Sequence, residues 1–355
     1  PDFESMFSFD KNAFAKAFQF DPSQIGKAMK APSKKMDMSG LIDPKAVTQM
    51  PGMSQGDIQK LMQSTKLNFT QESMQELFGG LMKGFLEYSA KKGTDYTKMN
   101  TAFQDYMKSP AAKKILSDNM SRILKAHVEE QLKDENLLVL DKNGRPAKRK
   151  WWNGADYLLD FSNPAAQDWF FACTRYLTDK LGIDGFKQDA GDAMYYRDDD
   201  RTYGGVDANG QSKLWALSAR HYRFNELRAC FQCGGMGVAQ RLADKSHRWN
   251  FLGLGALLPN VLIQGLSGYP YSCPDMIGGG QITDFRGPAE KLDHELFARY
   301  CEASALMPMM QYSLNIWDLG NPETRRICRE MSALHAKYGD YIIACAKAAS
   351  QTGAP

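Results

Sequence analysis

The stretch Gly182-Ile-Asp-Gly-Phe-Lys-Gln-Asp189-Ala-Gly-Asp192 places a carboxylate directly after a short apolar segment. The pattern predicts a strand over residues 182–188 that ends at Asp189, followed by small residues that permit a tight loop. Barrel enzymes carry their reacting groups at the C-terminal ends of parallel strands. Asp189 is therefore a candidate catalytic residue, although an aspartate that caps the following turn would give the same pattern.

The sequence on both sides of this strand alternates between strand and helix patterns. The apolar run Leu137–Leu140 predicts a short strand. Ser162-Asn163, followed by Pro164, predicts a capped helix that runs to Leu181. Further helices are predicted from about Leu214 into Leu227 and from Asn250 to Leu266. This alternation predicts an α/β fold with a parallel sheet and helical crossovers.

The first third of the chain has a different composition. Residues 1–126 carry 18 Lys and Arg against 13 Asp and Glu, and 12 of the 19 methionines lie before residue 128. Helical spacing of apolar residues predicts helices after Thr70 and after Ser109-Pro110. We therefore predict a helical Met- and Lys-rich segment over residues 1–126, before an α/β domain over residues 127–355. Such helices bind lipid or polymer surfaces or partner helices, or they pack on each other or on the rest of the chain.

Composition excludes several classes of protein. With 43% hydrophobic and 24% charged residues, the 355-residue chain is typical of globular proteins. The net charge of +3 gives no sign of a nucleic-acid partner. No apolar run approaches the roughly 18 residues that span a bilayer, and the start shows no signal-peptide pattern. Seven cysteines, an odd number without a framework pattern, favour a reducing, cytoplasmic location.

Two later segments also carry chemistry-bearing residues. Gln240-Arg-Leu-Ala-Asp244-Lys-Ser-His247-Arg-Trp249 sets an acid among cations, although an acid near a helix N-terminus gives a similar pattern. Tyr269-Pro-Tyr-Ser-Cys-Pro-Asp275-Met-Ile-Gly-Gly-Gly280 ends in glycines that let the backbone approach a ligand. Cys230 and Cys233 form a single pair, which does not make a zinc site. The run Asp198–Arg201 could bind calcium, or it is a solvated loop.

Together these segments resemble glycoside hydrolase family 31, and their sequence motifs are similar to those of its α-galactosidase-like branch. The family's aromatic-glycine approach and Asp-Phe-Thr-Asn-Pro-like run are matched by Trp151-Trp152-Asn-Gly154 and Asp160-Phe-Ser-Asn-Pro164. Its nucleophile motif is matched by Asp184-Gly185 and Asp189. The family's binding arginine lies sixteen residues before its acid/base aspartate, as Arg228 lies before Asp244.

The resemblance covers about residues 127–355. It implies a retaining α-glycosidase built on a (β/α)8 barrel. This chain would hold the C-terminal strands of that barrel, about the fourth to the eighth. It implies hydrolysis of an α-galactoside or α-glucoside, with Asp189 as nucleophile and Asp244 as acid/base. Many α-glucosidases carry a sugar-binding histidine where this chain has Ser313, which argues against a standard glucosidase. The substrate would be an oligosaccharide, polysaccharide or glycoside, and no metal or cofactor is required. The substrate-binding residues expected are Arg228, Lys187, Trp152, Asp275 and His247.

Residues 1–126 show no strand pattern for the first three barrel strands. Two functions therefore stay open. One is a glycosidase. The other is a non-catalytic chimera, in which a helical module that binds a partner or a polymer or lipid surface is joined to an incomplete barrel.

Overall fold

The computed structural model describes residues 71–93, 99–151, 154–285 and 292–354. The helices of this part of the chain are α1 Gln71–Lys92, α2 Met99–Met107, α3 Pro110–Asp134, α4 Pro164–Leu181, α5 Ala208–Ser218, α6 Leu257–Leu266, α7 His294–Ser304, α8 Pro322–Lys337 and α9 Gly339–Thr352. The strands are β1 Lys148–Trp151, β2 Gly154–Tyr157, β3 Gly185–Gln188, β4 Phe224–Leu227, β5 Gln240–Arg241, β6 Ser272–Cys273, β7 Met276–Ile277 and β8 Gln311–Tyr312. Among these helices, none is both long enough and apolar enough to cross a membrane.

The chain divides into two compact units, and the division falls between Asn136 and Leu137. The predicted domain boundary between residues 126 and 127 falls within α3, and the domain assignment stays a prediction. Thr70, the predicted cap of α1, lies outside the described residues. Ser109 caps α3, because its side chain accepts a hydrogen bond from the Ala112 amide at 3.2 Å and Pro110 follows it.

The helices of the first unit pack through aromatic side chains. Phe85 of α1 is fully buried, and its ring lies edge-on to Phe103 with 5.1 Å between centroids. A Cβ atom at Gly84 would overlap the Tyr106 hydroxyl. Glycine in a helix interior costs about 1 kcal/mol relative to alanine. Here that cost permits the close approach of Tyr106 to α1.

The second unit contains the parallel sheet that the sequence predicts. Strands β3, β4, β5 and β6 form a four-stranded sheet in that order, with every pairing parallel. Strands β7 and β8 form a separate parallel pair, and β1 and β2 form an antiparallel hairpin. Because carboxyl ends of parallel strands meet at one edge, residues that follow β3, β4 and β5 lie close together.

The predicted helix from Leu214 into Leu227 is wrong in its second half. The helix α5 ends at Ser218, a short 3₁₀ turn covers Ala219–His221, and Phe224–Leu227 forms β4. Leu227 is fully buried and pairs with Gln188 of β3. A four-residue strand is too short to show a clear period of two, so its pairing with β3 rather than local propensity decides its structure.

Two other predicted elements are shorter than expected. The helix predicted over Asn250–Leu266 begins at Leu257, after a 3₁₀ turn at Leu254–Ala256. Gly255 lies against the backbone of Trp249 and Asn250, where a Cβ atom would be only 2.9 Å from the Trp249 carbonyl oxygen. In place of a regular strand, residues 137–140 make single bridges from Leu138 to Leu159 and from Leu140 to Pro146 and Arg201.

Residues at the strand ends pack into an apolar core. Phe297 and Tyr300 of α7 are buried together with Leu242, Leu257 and Ile277. Leu242 directly follows β5, and Ile277 belongs to β7. The core therefore fixes the strand ends that carry the polar residues described below.

Asp160 joins the segment before α4 to more distant parts of the unit. Its side chain is buried and accepts hydrogen bonds from the Ser162 amide at 2.9 Å and the Tyr203 amide at 2.6 Å. The Gln211 side-chain amide donates to it at 2.5 Å, and the Ser162 hydroxyl at 2.6 Å. Four donors thus converge on one buried carboxyl group.

We expect Asp160→Ala to lower the free energy of unfolding by about 3 kcal/mol, because it leaves the buried Gln211 amide and three partly buried donors without an acceptor. Urea denaturation measures the change. The exposed loop residue Asp198, changed to alanine, is the matched control and should shift the midpoint little. Equal shifts in the two variants would show that the hydrogen bonds of Asp160 do not stabilise the fold.

Candidate active site

Asp189 directly follows β3, and its side chain is 42% exposed. The backbone turns sharply after it, with left-handed conformations at Ala190 (φ +60°) and Gly191 (φ +77°). A Cβ atom at Gly191 would overlap the indole ring of Trp215 on α5. Glycine is therefore required both for the backbone conformation and for space. The turn leaves the Asp189 carboxylate accessible at the end of its strand.

Asp244 lies close to Asp189, because both carboxylates contact the same two arginines. Arg241 Nη2 donates to Asp189 Oδ1 at 2.7 Å, and Arg241 Nη1 donates to Asp244 Oδ1 at 2.8 Å. Arg228 Nη1 lies 2.6 Å from Asp189 Oδ1 and 3.8 Å from Asp244 Oδ2. The structure thus brings together two acids that are far apart in the sequence, and both remain partly exposed.

Arg228 follows β4 and is held by Asp192. Its Nε lies 3.1 and 3.2 Å from the two Asp192 carboxylate oxygens, and its Nη2 lies 2.9 Å from one of them. Burial opposes the charge of Arg228, but the hydrogen bonds with Asp192 and the nearby carboxylates outweigh it and raise the pKa of the guanidinium group. Arg228 is therefore a fixed positive charge beside Asp189.

A second set of charged and polar side chains surrounds Lys187, near the end of β3. Lys187 Nζ lies 3.1 Å from Glu226, 3.4 Å from Asp275 and 2.8 Å from the Gln311 side-chain oxygen. The Gln311 amide group also contacts the Glu226 carboxylate. The structure thus places Lys187 among Glu226, Asp275 and Gln311, with about a third of its side chain exposed.

Asp275 is fully buried and has a left-handed backbone conformation, with φ +66°. Its Oδ1 lies 3.4 Å from both Lys187 Nζ and Arg241 Nη1. Burial raises the pKa of this carboxyl group above its usual value, although the two cations oppose the shift. A Cβ atom at Gly280 would overlap Asp275 Oδ2 and lie 3.0 Å from Asp244 Cβ. The glycine run therefore packs its backbone against both acids.

His247 connects two loops of the site. Its Nδ1 lies 2.7 Å from the Gly278 carbonyl oxygen, and its Nε2 accepts a hydrogen bond from the Asp293 amide at 3.1 Å. Trp249 Nε1 donates to the Asp293 carboxylate at 2.8 Å. Both ring nitrogens of His247 thus contact the protein backbone. Trp152, an expected substrate-binding residue, lies outside the described residues.

Lys245, next to Asp244, is also buried, and its Nζ donates to the Ala243 carbonyl oxygen at 3.2 Å. Burial lowers the pKa of this ammonium group, although Asp275 and Asp244 oppose the shift. At a pH below its folded-state pKa, the folded protein bears the full cost of the buried charge. As the pH rises from there toward the higher unfolded-state pKa, the folded state loses its proton first and that cost disappears.

We therefore expect Lys245→Met to raise the urea midpoint at about pH 7, and the gain to shrink toward about pH 10. Paired denaturation curves at the two pH values measure this difference. Lys142→Met, at an exposed loop position, is the control and should change neither midpoint much. A Lys245→Met variant that is less stable than the unchanged protein at both pH values would contradict the argument.

The sequence alone assigns no site role to Arg241, Glu226, Asp192 or Gln311. Glu226 lies within the predicted helix that runs into Leu227, so the sequence does not show that it belongs to a strand. In β4, a residue two positions before Arg228 has its side chain on the same side of the chain as Arg228. Arg241 was visible in the Asp244 segment, but its position in a strand paired on both sides was not. Within the described residues, no group of three or more His, Cys, Asp or Glu side chains is arranged to hold a metal ion.

The chain matches a known protein family over most of its length. Residues 87–344 match the family model described as the glycosyl hydrolases family 31 TIM-barrel domain. The chain is 34% identical over 210 residues to the myogenesis-regulating glycosidase of Mus musculus, which covers 57% of this chain and 29% of that protein. It is 28% identical over 193 residues to a 1,3-alpha-isomaltosidase of Kribbella flavida, covering 49% of this chain and 24% of that protein.

Solved structures with the same fold include two bacterial enzymes. The cycloalternan-degrading enzyme from Trueperella pyogenes matches with a TM-score of 0.54 and 23% identity, over 64% of this chain and 35% of that one. The dextranase of Flavobacterium johnsoniae, complexed with glucose, matches with a TM-score of 0.54 and 19% identity, over 68% of this chain and 34% of that one. The chain spans less than a third of the length of the curated relatives.

Proposed function

This chain belongs to family 31 of the glycosyl hydrolases, and on that premise we propose that it hydrolyses α-glycosidic bonds with retention of configuration. The observation that carries the proposal is the hydrogen bonding of Asp189 and Asp244 to one guanidinium group, that of Arg241. Sharing one guanidinium group favours a short separation of the two carboxyl groups. Retaining enzymes have their two carboxyl groups about 5–5.5 Å apart, whereas inverting enzymes need about 6.5–9.5 Å.

In the first step an oxygen of ionised Asp189 bonds to the anomeric carbon, and the bond from that carbon to the leaving oxygen breaks. Asp244 gives its proton to the leaving oxygen. In the second step Asp244 takes a proton from water, whose oxygen attacks the same carbon and releases Asp189 from the ester. Each step inverts the anomeric carbon, so the product keeps the α configuration.

The remaining predicted site residues have three roles in this proposal. Arg228 donates a hydrogen bond to Asp189, and it is placed to hydrogen-bond a sugar hydroxyl. Lys187 is partly exposed and is the second candidate for such a contact. Asp275 and His247 act through their neighbours, because one is fully buried and both ring nitrogens of the other contact backbone atoms. Trp152 is proposed as a flat wall for a sugar ring.

The substrate is an α-galactoside or an α-glucoside. The sequence motifs shared with the α-galactosidase-like branch support an α-galactoside. The names of similar proteins support an α-glucoside, since they include an isomaltosidase, an isomaltosyltransferase and a dextranase. Ser313, where many α-glucosidases have a histidine, donates to the Ile277 carbonyl oxygen at 2.6 Å. Its hydroxyl therefore stabilises the loop after β8.

Strands β3 to β8 are proposed as the fourth to eighth strands of a (β/α)8 barrel, with β6 and β7, which are separated by only two residues, counted as one barrel strand. Within the described residues, six strands pair in parallel, in two groups. This number favours a second candidate function, in which residues 1–126 bind a partner or polymer surface and the barrel segment has no activity. The two candidates differ in whether the chain turns over an α-glycoside.

The test is hydrolysis of 4-nitrophenyl α-galactoside, 4-nitrophenyl α-glucoside and isomaltose. We expect release of nitrophenolate or glucose, with the α-anomer as the first product in the proton NMR spectrum. The corresponding β-glycosides are the control and should be stable. A β-anomer as first product would contradict retention, and no turnover of any α-glycoside would favour the non-catalytic candidate.

A further inference from the structure

Arg241 lies buried among the acidic side chains of the site, with 2% of its side chain exposed. Besides Asp189 and Asp244, its guanidinium group faces Asp275 Oδ1 at 3.4 Å and Glu226 Oε1 at 3.5 Å. A buried arginine with several acidic neighbours usually has a structural role in pairing charge. A purely structural role does not require contacts with both candidate catalytic carboxylates, and Arg241 has both.

We infer that Arg241 is a positioning residue, which fixes the distance between Asp189 and Asp244 for the proposed reaction. This inference rests on the proposed function. The guanidinium group is planar and rigid, so its Nη1 and Nη2 atoms hold two acceptors at a set separation. Nη2 donates to Asp189 and Nη1 donates to Asp244, both within 2.8 Å. One rigid group thus connects the carboxylate that follows β3 with the carboxylate that follows β5.

The guanidinium group of Arg241 is itself held in place. Its Nη1 donates to the Leu242 carbonyl oxygen at 3.1 Å. Its backbone is part of β5, which pairs with β4 on one side and β6 on the other. Asp275 and Glu226 add charge pairing on the buried side. The position of Arg241 is therefore set by the sheet.

Arg228 does not duplicate this arrangement. Its Nη1 hydrogen-bonds Asp189 at 2.6 Å but lies 3.8 Å from Asp244, beyond hydrogen-bond distance. Its Nε and Nη2 atoms are engaged by Asp192. Among the described residues, Arg241 is the one that hydrogen-bonds both Asp189 and Asp244.

A kinetic experiment separates positioning from folding. Arg241→Lys and Arg241→Gln are assayed with the 4-nitrophenyl α-glycoside that the unchanged protein hydrolyses, and active sites are counted by titration with a 5-fluoroglycosyl fluoride that esterifies Asp189. We expect kcat per titrated site to fall about 100-fold in Arg241→Gln, because misplacement by about 1 Å costs that much. We expect a smaller loss in Arg241→Lys, which keeps the charge but not the planar group, and a KM within about threefold in both.

Arg223→Gln, at an exposed position just before β4, is the control and should keep its kcat. A structural role alone would lower the fraction of titratable sites and leave kcat per site unchanged. That result would overturn the inference. If Arg241→Gln does not fold, Arg241→Lys decides, since its kcat per site should still fall.

A second experiment does not depend on activity. Urea midpoints are measured for Arg241→Lys, Asp189→Asn, Asp244→Asn and the two double variants that contain Arg241→Lys. We expect the shift of each double variant to differ from the sum of its single shifts, because contacting residues are coupled. Arg223→Lys with Asp189→Asn should be additive. Additivity of Arg241 with either carboxyl residue would overturn the inference. Coupling to both without any turnover would support the link but overturn the proposed function.

Discussion

Asp189→Ala should lower kcat for a 4-nitrophenyl α-glycoside by about 10⁴-fold or more, the loss typical of removing a catalytic nucleophile. The alanine methyl group cannot form the ester, so the first step has no acceptor for the glycosyl group. Arg228 and Arg241 both contact Asp189, and each also has a second carboxylate partner, Asp192 for Arg228 and Asp244 for Arg241. Initial rates of nitrophenolate release measure the loss.

Sodium azide should restore part of the activity of Asp189→Ala, because the small anion fits the space left by the carboxylate. Attack from the side of Asp189 would give the β-glycosyl azide, which NMR distinguishes from the α-anomer. Asp198→Ala, an exposed loop variant, should keep its full rate. Substantial residual activity in Asp189→Ala without azide would exclude Asp189 as the nucleophile.

Asp244→Ala should have the second largest effect, and the effect should depend on the leaving group. With poor leaving groups we expect a loss of about 10²–10⁴-fold, the usual contribution of a general acid. With 2,4-dinitrophenolate, which departs without a proton, the first step should be nearly unchanged and the glycosyl ester should accumulate. Burst kinetics and the mass of the intact protein measure that accumulation.

Azide should rescue the second step of Asp244→Ala, because it attacks the ester without a general base. The product should be the α-glycosyl azide, of opposite configuration to the product expected with Asp189→Ala. The control here is Asp199→Ala, a second exposed loop residue. Equal losses for all leaving groups would show that Asp244 is not the proton donor.

The elements that the sequence predicted correctly have local signals. Asn163 caps α4 by accepting a hydrogen bond from the Ala165 amide, and Pro164 begins the helix, so the predicted Pro164–Leu181 helix is confirmed. The strand that ends before Asp189 is also present, over Gly185–Gln188. Both signals lie within a few residues of the element that they specify.

The site was less accessible to sequence reasoning, because its contacts join residues far apart in the chain. Family resemblance drew attention to Asp189, Asp244 and Arg228, which the structure brings together. Arg241 and Glu226 were missed because their significance depends on which strands are neighbours. Strand β4 has four residues and β5 has two, and segments this short show no periodic pattern of apolar residues.

The buried carboxyl group of Asp160 has a dynamic consequence. It accepts from the amides of Ser162 and Tyr203, and the Gln211 side chain that also donates to it accepts from the Phe161 amide at 3.1 Å. The Ser162 and Tyr203 amides lose their acceptor when this carboxyl group withdraws, and the same withdrawal frees the Gln211 side chain that accepts from the Phe161 amide. The three amides should therefore exchange their hydrogens for deuterium as one cooperative set, although more than forty residues of chain separate Phe161 and Ser162 from Tyr203.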